Sequence, residues 1–308
     1  MTGRTTAALS ALLAGAVACG AACATENGGQ NYPFGVNTIL PGIAPPPGES
    51  WWQNYSVYYS AGRFNDANGR SLIPGYELDV AAYAPRLFHS WDASIGPFGL
   101  ASAVVVPFVY VGVKTPAGRS TDFDVGNPTI QPLYLTYANP AKTFFAYSGV
   151  DFFVPTYTAV SRDYVSMDPI VAMTWFPRKG VDVNFIGLLE FALAENRSTG
   201  YRSGNLLVVD YSAHVKPFPS HPQLSVGFNG YYLDQFSGDE LNGVDIGFEG
   251  RAAAIGPELV YETGTAAGIA IKWQHEFHVR NRPQGEQLWF QFQVPLGPAL
   301  SPSDHRRR

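Results

Sequence analysis

The segment Gly285-Glu-Gln-Leu-Trp-Phe-Gln-Phe-Gln-Val-Pro-Leu296 decides the fold class. Side chains alternate between the two faces of an extended strand. One face of this segment therefore carries Leu288, Phe290, Phe292, Val294 and Leu296, and the other carries Gln287, Trp289, Gln291 and Gln293. Such a strand separates an apolar environment from a hydrated one. The rest of the chain must show whether the apolar environment is a protein core or lipid.

The composition favours lipid. Aromatic residues make up 14% of the 308 residues and charged residues only 15%, alongside 32 Gly and 24 Pro. Charged residues usually form about a quarter of a soluble domain. A chain with few charges, many aromatic rings and no long apolar helix is typical of a membrane β-barrel. The net charge of −5 gives no electrostatic reason to bind nucleic acid.

The N-terminus resembles an export signal. Arg4 precedes an apolar run over residues 7–18, and Ala22-Cys23-Ala24 matches a signal-peptidase site. We predict a cleaved signal peptide over residues 1–24, with lipidation of Cys19 as the alternative. Cleavage after Ala24 removes both cysteines of the chain, which excludes disulfides and thiolate metal sites.

Twelve segments rich in aromatic and β-branched residues recur, each ending at Gly, Pro, Asn or Asp, which is the pattern of strands. They are residues 51–61, 76–87, 98–113, 128–137, 143–154, 167–176, 181–194, 206–216, 224–233, 251–261, 268–279 and 287–296. Connections after even-numbered segments are mostly compact, and those after odd-numbered segments are mostly longer. Bacterial outer-membrane barrels have this asymmetry. We therefore predict an all-β fold, a transmembrane antiparallel up-and-down β-barrel of twelve strands over residues 49–296.

Two terminal regions fall outside the predicted barrel. Residues 25–48 are too rich in Gly, Pro and Asn for a regular element, so we expect an extended lead-in that folds into the lumen as a plug. Residues 297–308 are expected to form a flexible basic tail. Proline cannot donate to a strand ladder, so bulges or strand ends are expected at Pro85, Pro107, Pro132 and Pro257.

Charged side chains in the predicted strands mark the lumen, because a charge facing lipid is costly and one facing water is not. The predicted lumen-facing transport residues are Glu77, Asp79, Asp182, Glu190, Asp210, His214, Lys216, Lys272 and Glu276. Acids and bases are mixed, which predicts a hydrated pore without a strong preference for one sign of ion. The alternative for each residue is a solvated wall position or a cross-strand ion pair.

Catalytic and metal-binding patterns are weak. His275 and His278 are expected on opposite faces of a strand, so they cannot chelate one ion. Ser212 and His214 share one face, which leaves open a barrel enzyme acting on lipids. Such catalysis also needs an orienting group and an oxyanion hole, and neither is visible. We predict no catalytic residue, no metal and no cofactor.

Short motifs resemble a known family. They are Glu26-Asn27-Gly28, Tyr32-Pro33-x-Gly35, Gly42 with Pro45-Pro46-Pro47-Gly48, Gly126-Asn127-Pro128 and Gly256-Pro257-Glu258-Leu259. Together they resemble the family named for the MetA pathway of phenol degradation. Asp122-Phe123-Asp124-Val125 departs from the Gly-Asp pair usual there. The resemblance implies an outer-membrane protein associated with uptake of aromatic or other hydrophobic compounds, and it carries no catalytic residues.

The expected function is an outer-membrane channel or transporter for passive uptake of small hydrophobic or aromatic compounds. The expected partners are outer-membrane lipid, the barrel-assembly machinery and the small hydrophobic or aromatic solute. A structural or adhesive outer-membrane barrel without transport is the main alternative. A soluble periplasmic β-sandwich is another, since aromatic residues also fill the cores of such domains.

Overall fold

The computed structural model describes residues 26–264 and 267–298. The predicted signal peptide and most of the predicted tail lie outside these residues. A single 3-10 turn over Glu26–Gly28 opens the described chain, and strands dominate the rest. No helix within residues 26–264 and 267–298 is long and apolar enough to cross a membrane.

The strands follow the chain order of the prediction. They are β1 (Glu49–Phe64), β2 (Glu77–Ile95), β3 (Phe98–Val105), β4 (Phe108–Thr115), β5 (Gly118–Val125), β6 (Thr129–Ala138), β7 (Phe144–Phe153), β8 (Ser166–Arg178), β9 (Val181–Ala192), β10 (Tyr201–Arg202), β11 (Leu206–Val215), β12 (Leu224–Gln235), β13 (Asp239–Leu241), β14 (Val244–Gly247), β15 (Arg251–Gly264), β16 (Ala267–Arg280) and β17 (Pro283–Pro298). The short strands β10, β13 and β14 form a separate small sheet.

The large sheet closes on itself. β1 pairs antiparallel with both β2 and β17, so the first and last strands meet and leave no edge. Residues 86–95 of β2 pair with β3, and residues 77–83 of β2 pair with β4. β3 and β4 together therefore form one interrupted strand of the wall. β5, which pairs with β4, and β6, which pairs with β3, together form the next interrupted strand of the wall. Within the described residues the wall is a closed antiparallel barrel of 12 strands, which confirms the predicted fold class.

Alternation sets the two faces of the wall. In β9 and β11 the even-numbered residues are buried and most odd-numbered residues are partly exposed. In β17, Phe290 is 44% exposed on the outer face, whereas Trp289 is 2% exposed on the inner face. Phe290 lies opposite Ser56 of β1, and Phe292 lies opposite Asn54. The segment that closes the barrel therefore turns its phenylalanines outward, as its pattern predicts.

The prolines affect the wall unequally. Pro107 lies in the gap between β3 and β4, and Pro132 lies where the β6–β7 register shifts. The expectation of a strand end or bulge is confirmed at these two positions. At Pro85 and Pro257 the expectation is wrong, because β2 and β15 continue through them in unbroken register. The Pro85 carbonyl still accepts a hydrogen bond from the Val106 amide at 3.1 Å.

Connections differ between the two ends of the barrel. Compact turns at 96–97, 139–143 and 179–180 define what we call the turn end. Longer connections at 65–76, 154–165, 193–205 and 236–250 define the loop end. Two connections at the loop end contradict the predicted length asymmetry, namely residues 116–117 and 281–282, because the flanking strands extend further than their sequence patterns indicated.

Four further predictions are corrected. Gly118–Val125 is a strand, where a loop was expected, and β2 runs to Ile95 instead of residue 87. Strand β17 extends to Pro298, so Gly297 and Pro298 belong to the wall and not to the tail. His275 and His278 are both exposed, because a positive φ of 53° at His278 interrupts the alternation.

We expect the double substitution Phe290→Asp and Phe292→Asp to block barrel assembly. Both rings lie on the outer face of the closing strand, where a carboxylate cannot be hydrated by the lumen. Heat-modifiable gel mobility of membrane fractions measures assembly. Phe236→Asp is the matched control, since Phe236 is 50% exposed in a loop-end connection. Normal assembly of the double variant would contradict the outward placement of these rings.

Candidate functional site: the barrel interior

The inner wall of the barrel is lined by polar side chains. Six of the predicted lumen residues lie there and are at most 7% exposed, namely Asp182, Glu190, Asp210, His214, Lys272 and Glu276. Lys216 follows the end of β11 at the turn end, and its Nζ lies 2.7 Å from Glu262 Oε2. The structure therefore places these seven residues on the inner face of the wall. Their role in transport stays a prediction.

Glu77 and Asp79 do not face the lumen, which corrects their assignment. They share a face of β2 with Tyr83, which is 45% exposed on the outer side. Glu77 pairs with Lys114 at 2.6 Å, and Asp79 accepts a hydrogen bond from Tyr58 at 2.8 Å. The 19 residues of β2 exceed the roughly 9–11 that span a bilayer, so charges at its loop end need not contact lipid.

Residues 26–48, called the inner segment below, run through the interior from the loop end to the turn end. At the loop end, the Glu26 carboxylate accepts hydrogen bonds from Asn196 Nδ2 at 2.6 Å and Thr199 Oγ1 at 2.7 Å. At the turn end, the Gly48 amide donates to the Ser90 carbonyl at 2.9 Å. Tyr32, Phe34 and Val36 between these points are buried. The segment thus occupies the volume that the wall encloses.

Two wall carboxylates bind backbone amides of the inner segment. Glu190 accepts from the Asn31 amide at 3.0 Å and from the Tyr32 amide at 3.1 Å. Asp210 accepts from the Gly35 amide at 2.8 Å and from the Asn37 amide at 3.1 Å. Charged acceptors make stronger hydrogen bonds than neutral ones. These two carboxylates therefore fix the position of the segment.

The Tyr32 hydroxyl adds to this network. It donates to Asp210 Oδ2 at 2.9 Å and accepts from Asn37 Nδ2 at 3.0 Å. The Tyr32 hydroxyl therefore joins the inner segment to the wall at Asp210.

Lys272 supplies the complementary contacts. Its ammonium donates to the carbonyls of Gly35 at 2.5 Å and Val36 at 2.9 Å, and to Thr38 Oγ1 at 2.7 Å. It also lies 5.2 Å from the centroid of the Trp289 ring. Lys272 thus fills its three donor positions with the inner segment, and a buried ammonium requires such partners.

Two glycines allow the inner segment to approach the wall. Gly35 has a φ of +72°, and a Cβ there would lie 2.3 Å from the Gln274 side chain. A Cβ on Gly42 would lie 2.5 Å from both the Phe145 carbonyl oxygen and the Thr174 amide nitrogen. These two contacts are with backbone atoms, which cannot rotate away. Only glycine fits at position 42 without displacing the segment.

His214 and Ser212 take part in separate contacts. His214 Nδ1 lies 2.7 Å from Asp182 Oδ2, and its Nε2 lies 3.1 Å from Glu258 Oε2. Ser212 Oγ donates to the Thr38 carbonyl of the inner segment at 2.5 Å. The hydroxyl therefore serves the inner segment and is not activated by the imidazole, which gives no support to lipid hydrolysis at this pair.

Sequence reasoning missed a second polar group, formed by Arg86, Gln131 and Asp151. Arg86 Nε donates to Gln131 Oε1 at 2.9 Å, and Gln131 Nε2 donates to Asp151 Oδ2 at 2.7 Å. The Tyr134 hydroxyl also donates to Asp151. Arg86 could have been found by alternation, because it shares a face with Phe88 and Ser90 once β2 is extended past residue 87.

Arg282 was also missed, because it lies in the tight connection between β16 and β17. Its guanidinium donates to the Gly28 carbonyl at 2.8 Å and lies 5.0 Å from the centroid of the Phe34 ring. Nothing in its sequence context marks it as an interior residue. Over the described ranges, no group of three or more His, Cys, Asp or Glu side chains is placed to hold a metal ion.

We expect Asp210→Asn to speed hydrogen exchange at the Gly35 and Asn37 amides. The substitution removes the charge from an acceptor shared by both, and each hydrogen bond to a charged group contributes about 1.5–3 kcal/mol. Exchange should rise about tenfold or more, since 1.4 kcal/mol is a factor of ten. Asp245→Asn is the control, because Asp245 accepts the Gly247 amide at an exposed position of the short strand β14. Unchanged exchange would contradict the role of Asp210.

The comparisons with known proteins agree with this architecture. The family model described as Putative MetA-pathway of phenol degradation matches residues 61–292. No curated protein matches the chain. The crystal structure of the COG4313 outer membrane channel from Pseudomonas putida F1 is similar, with a TM-score of 0.70 and 14% identity over 87% of this chain and 100% of that chain.

A second structure is more distant. The β domain of the Bordetella autotransporter BrkA gives a TM-score of 0.48 and 9% identity over 80% of this chain and 99% of that chain. The family match covers most of the barrel. The chain therefore belongs to the family of the MetA pathway of phenol degradation, and it is a bacterial outer-membrane β-barrel with the fold of an outer-membrane channel.

Proposed function

We propose that this protein is a channel for passive uptake of small hydrophobic or aromatic compounds, and that the inner segment is its plug. The observation that carries the proposal is the way in which the inner segment is held. Wall side chains bind it through Glu190, Asp210 and Lys272. Side-chain hydrogen bonds of this kind can be exchanged for water without breaking the barrel ladder.

The inner wall carries a cluster of aromatic rings that are at most 3% exposed, so a solute reaches them once the inner segment moves. The rings of Tyr134 and Tyr147 stack with centroids 4.6 Å apart, and Phe88 packs edge-on against both. Rings arranged in this way favour further aromatic contacts. The family description, which names phenol degradation, supports the same class of solute.

A structural or adhesive barrel without transport is the second candidate, and the packing of the interior favours it. The wall residues Tyr134, Tyr231 and Leu233 are fully buried in the barrel interior. A barrel that is permanently filled would conduct nothing. The two candidates therefore differ in whether the inner segment ever leaves its position.

The outward rings of β17 contact outer-membrane lipid, and the barrel-assembly machinery inserts the closed sheet. The solute enters the interior once the plug is displaced.

Single-channel recording of the purified protein in planar bilayers tests the channel and the plug together. Deletion of residues 26–48 should raise the conductance above that of the full chain. Absence of conductance in both proteins would favour the structural candidate, and equal conductance in both would contradict the plug.

We expect Gly42→Ala to raise the conductance without removing any charge. The added methyl would overlap backbone atoms of β7 and β8, so the inner segment must shift. Gly62→Ala in β1 is the matched control, since no atom lies within 4 Å of its Cβ position. Heat-modifiable mobility confirms that each variant assembles. A Gly42→Ala protein that assembles and conducts like Gly62→Ala would contradict this prediction.

A further inference from the structure

Three buried interior cations have different surroundings. Lys272 and Arg282 donate to carbonyls of the inner segment. Arg86 is 4% exposed, and its hydrogen bonds go to wall side chains instead. Among the described residues, no carboxylate lies within 4.0 Å of its guanidinium nitrogens. Arg86 therefore remains a buried charge without an opposite charge in contact.

The contacts of Arg86 leave one nitrogen free. Nε donates to Gln131, and Nη1 donates to Gln53 Oε1 and to the Tyr55 hydroxyl, both at 3.2 Å. Nη2 has no hydrogen-bond partner among the described residues. A guanidinium presents its donors in a planar fork that suits a carboxylate. The free nitrogen leaves one donor of this fork without an acceptor.

Two more unpartnered donors lie on the same inner face of β1 and β2. Trp51 Nε1 and Ser90 Oγ are buried and lack partners within the described chain. Trp51 is paired with Phe88 across β1 and β2, and Arg86 and Ser90 flank Phe88 on the same face. Diagonal neighbours in such a pair lie about 7–8 Å apart, within reach of long side chains. Three hydrogen-bond donors therefore border one patch of the inner wall.

Aromatic rings complete the patch. Arg86 Cζ lies 4.3 Å from the centroid of the Phe88 ring, and Phe88 packs edge-on against Tyr134 and Tyr147. A ligand here would meet donors at one end and ring faces at the other. A buried donor without an acceptor is costly, so the ligand group must accept hydrogen bonds and preferably carry negative charge.

We infer that Arg86, Trp51 and Ser90 form a binding site for small aromatic carboxylates on the inner wall of β1 and β2. This inference rests on the proposed channel function and narrows its solute class to anions. The carboxylate binds the free Arg86 nitrogen and the Trp51 and Ser90 donors, and the ring of the ligand packs against Phe88. A neutral aromatic alcohol lacks the charge that this site selects.

Calorimetric titration of the full-length protein in nonionic detergent tests the site, with benzoate as the probe. Benzoate should bind at least tenfold more tightly than benzyl alcohol, which has no carboxylate, and than acetate, which has no ring. Arg86→Gln should weaken benzoate binding at least tenfold, and Arg86→Lys should weaken it less. Arg119→Gln should bind as the wild type does, because Arg119 lies on the exposed β4–β5 hairpin.

Trp51→Phe and Ser90→Ala keep the shape of the patch and each remove one donor. Both should weaken benzoate binding, and they serve if Arg86→Gln does not assemble. Equal benzoate affinity in the wild type and in all assembled site variants would overturn the site. A wild-type protein that does not bind benzoate would also overturn it. Equal affinity for acetate would overturn the aromatic specificity.

The binding test and the conductance test can fail independently of each other. Titration does not require an open pore, so benzoate binding by a protein that shows no conductance would contradict the channel and support the site. Conductance in a protein that does not bind benzoate would contradict the site and leave the channel in place.

Discussion

Most buried charged side chains of this barrel are hydrogen-bonded, and the inner segment supplies many of their partners. Glu190 and Asp210 accept backbone amides from it, and Lys272 donates to its carbonyls. An unpartnered ion in a low-dielectric interior is costly. The wall therefore depends on the segment as much as the segment depends on the wall. This mutual dependence explains why a Gly- and Pro-rich stretch without regular structure holds a fixed path.

The outer face of the wall follows a different constraint. Lipid offers no hydrogen bonds, so every backbone group of the wall must pair within the sheet. The pairing of β1 with β17 meets this requirement by removing the edge. The sheet tolerates the interruption at Pro107 because the Pro107 carbonyl still accepts the Gly126 amide at 2.9 Å. The hydrogen-bonding and charged side chains of the wall are thus concentrated in the interior.

The interior is divided between two regions. The wall of β9, β11 and β16 is occupied by contacts with the inner segment, through Glu190, Asp210 and Lys272. The wall of β1 and β2 holds donors that the inner segment leaves unpartnered, with Arg86 at the centre. The first region positions the chain that fills the barrel. The second is the part of the interior with unused hydrogen-bonding capacity, and it is there that we place a ligand.

Alternation along the chain, together with the low content of charged residues and the pattern of connections, was enough to predict the barrel, its strand count and the interior position of residues such as Asp182, Glu190 and Lys272. Side chains on a strand have only two directions, so composition alone separates the faces. The same rule misplaced Glu77 and Asp79, because it does not include the position of a residue along the membrane normal. The 19-residue strand β2 is longer than a bilayer requires, so its loop end lies beyond the lipid.

Only the tertiary structure decided the path of the inner segment and the surroundings of Arg86. Residues 26–48 have no periodicity, and many of their contacts are with residues more than a hundred positions away, such as Glu190 and Lys272. Arg86 contacts Gln53 and Gln131 only because β1, β2, β3 and β6 lie side by side at that level of the wall. Local sequence determined which way each strand faces. Which side chains meet across the interior depends on closure of the whole sheet, which no single segment encodes.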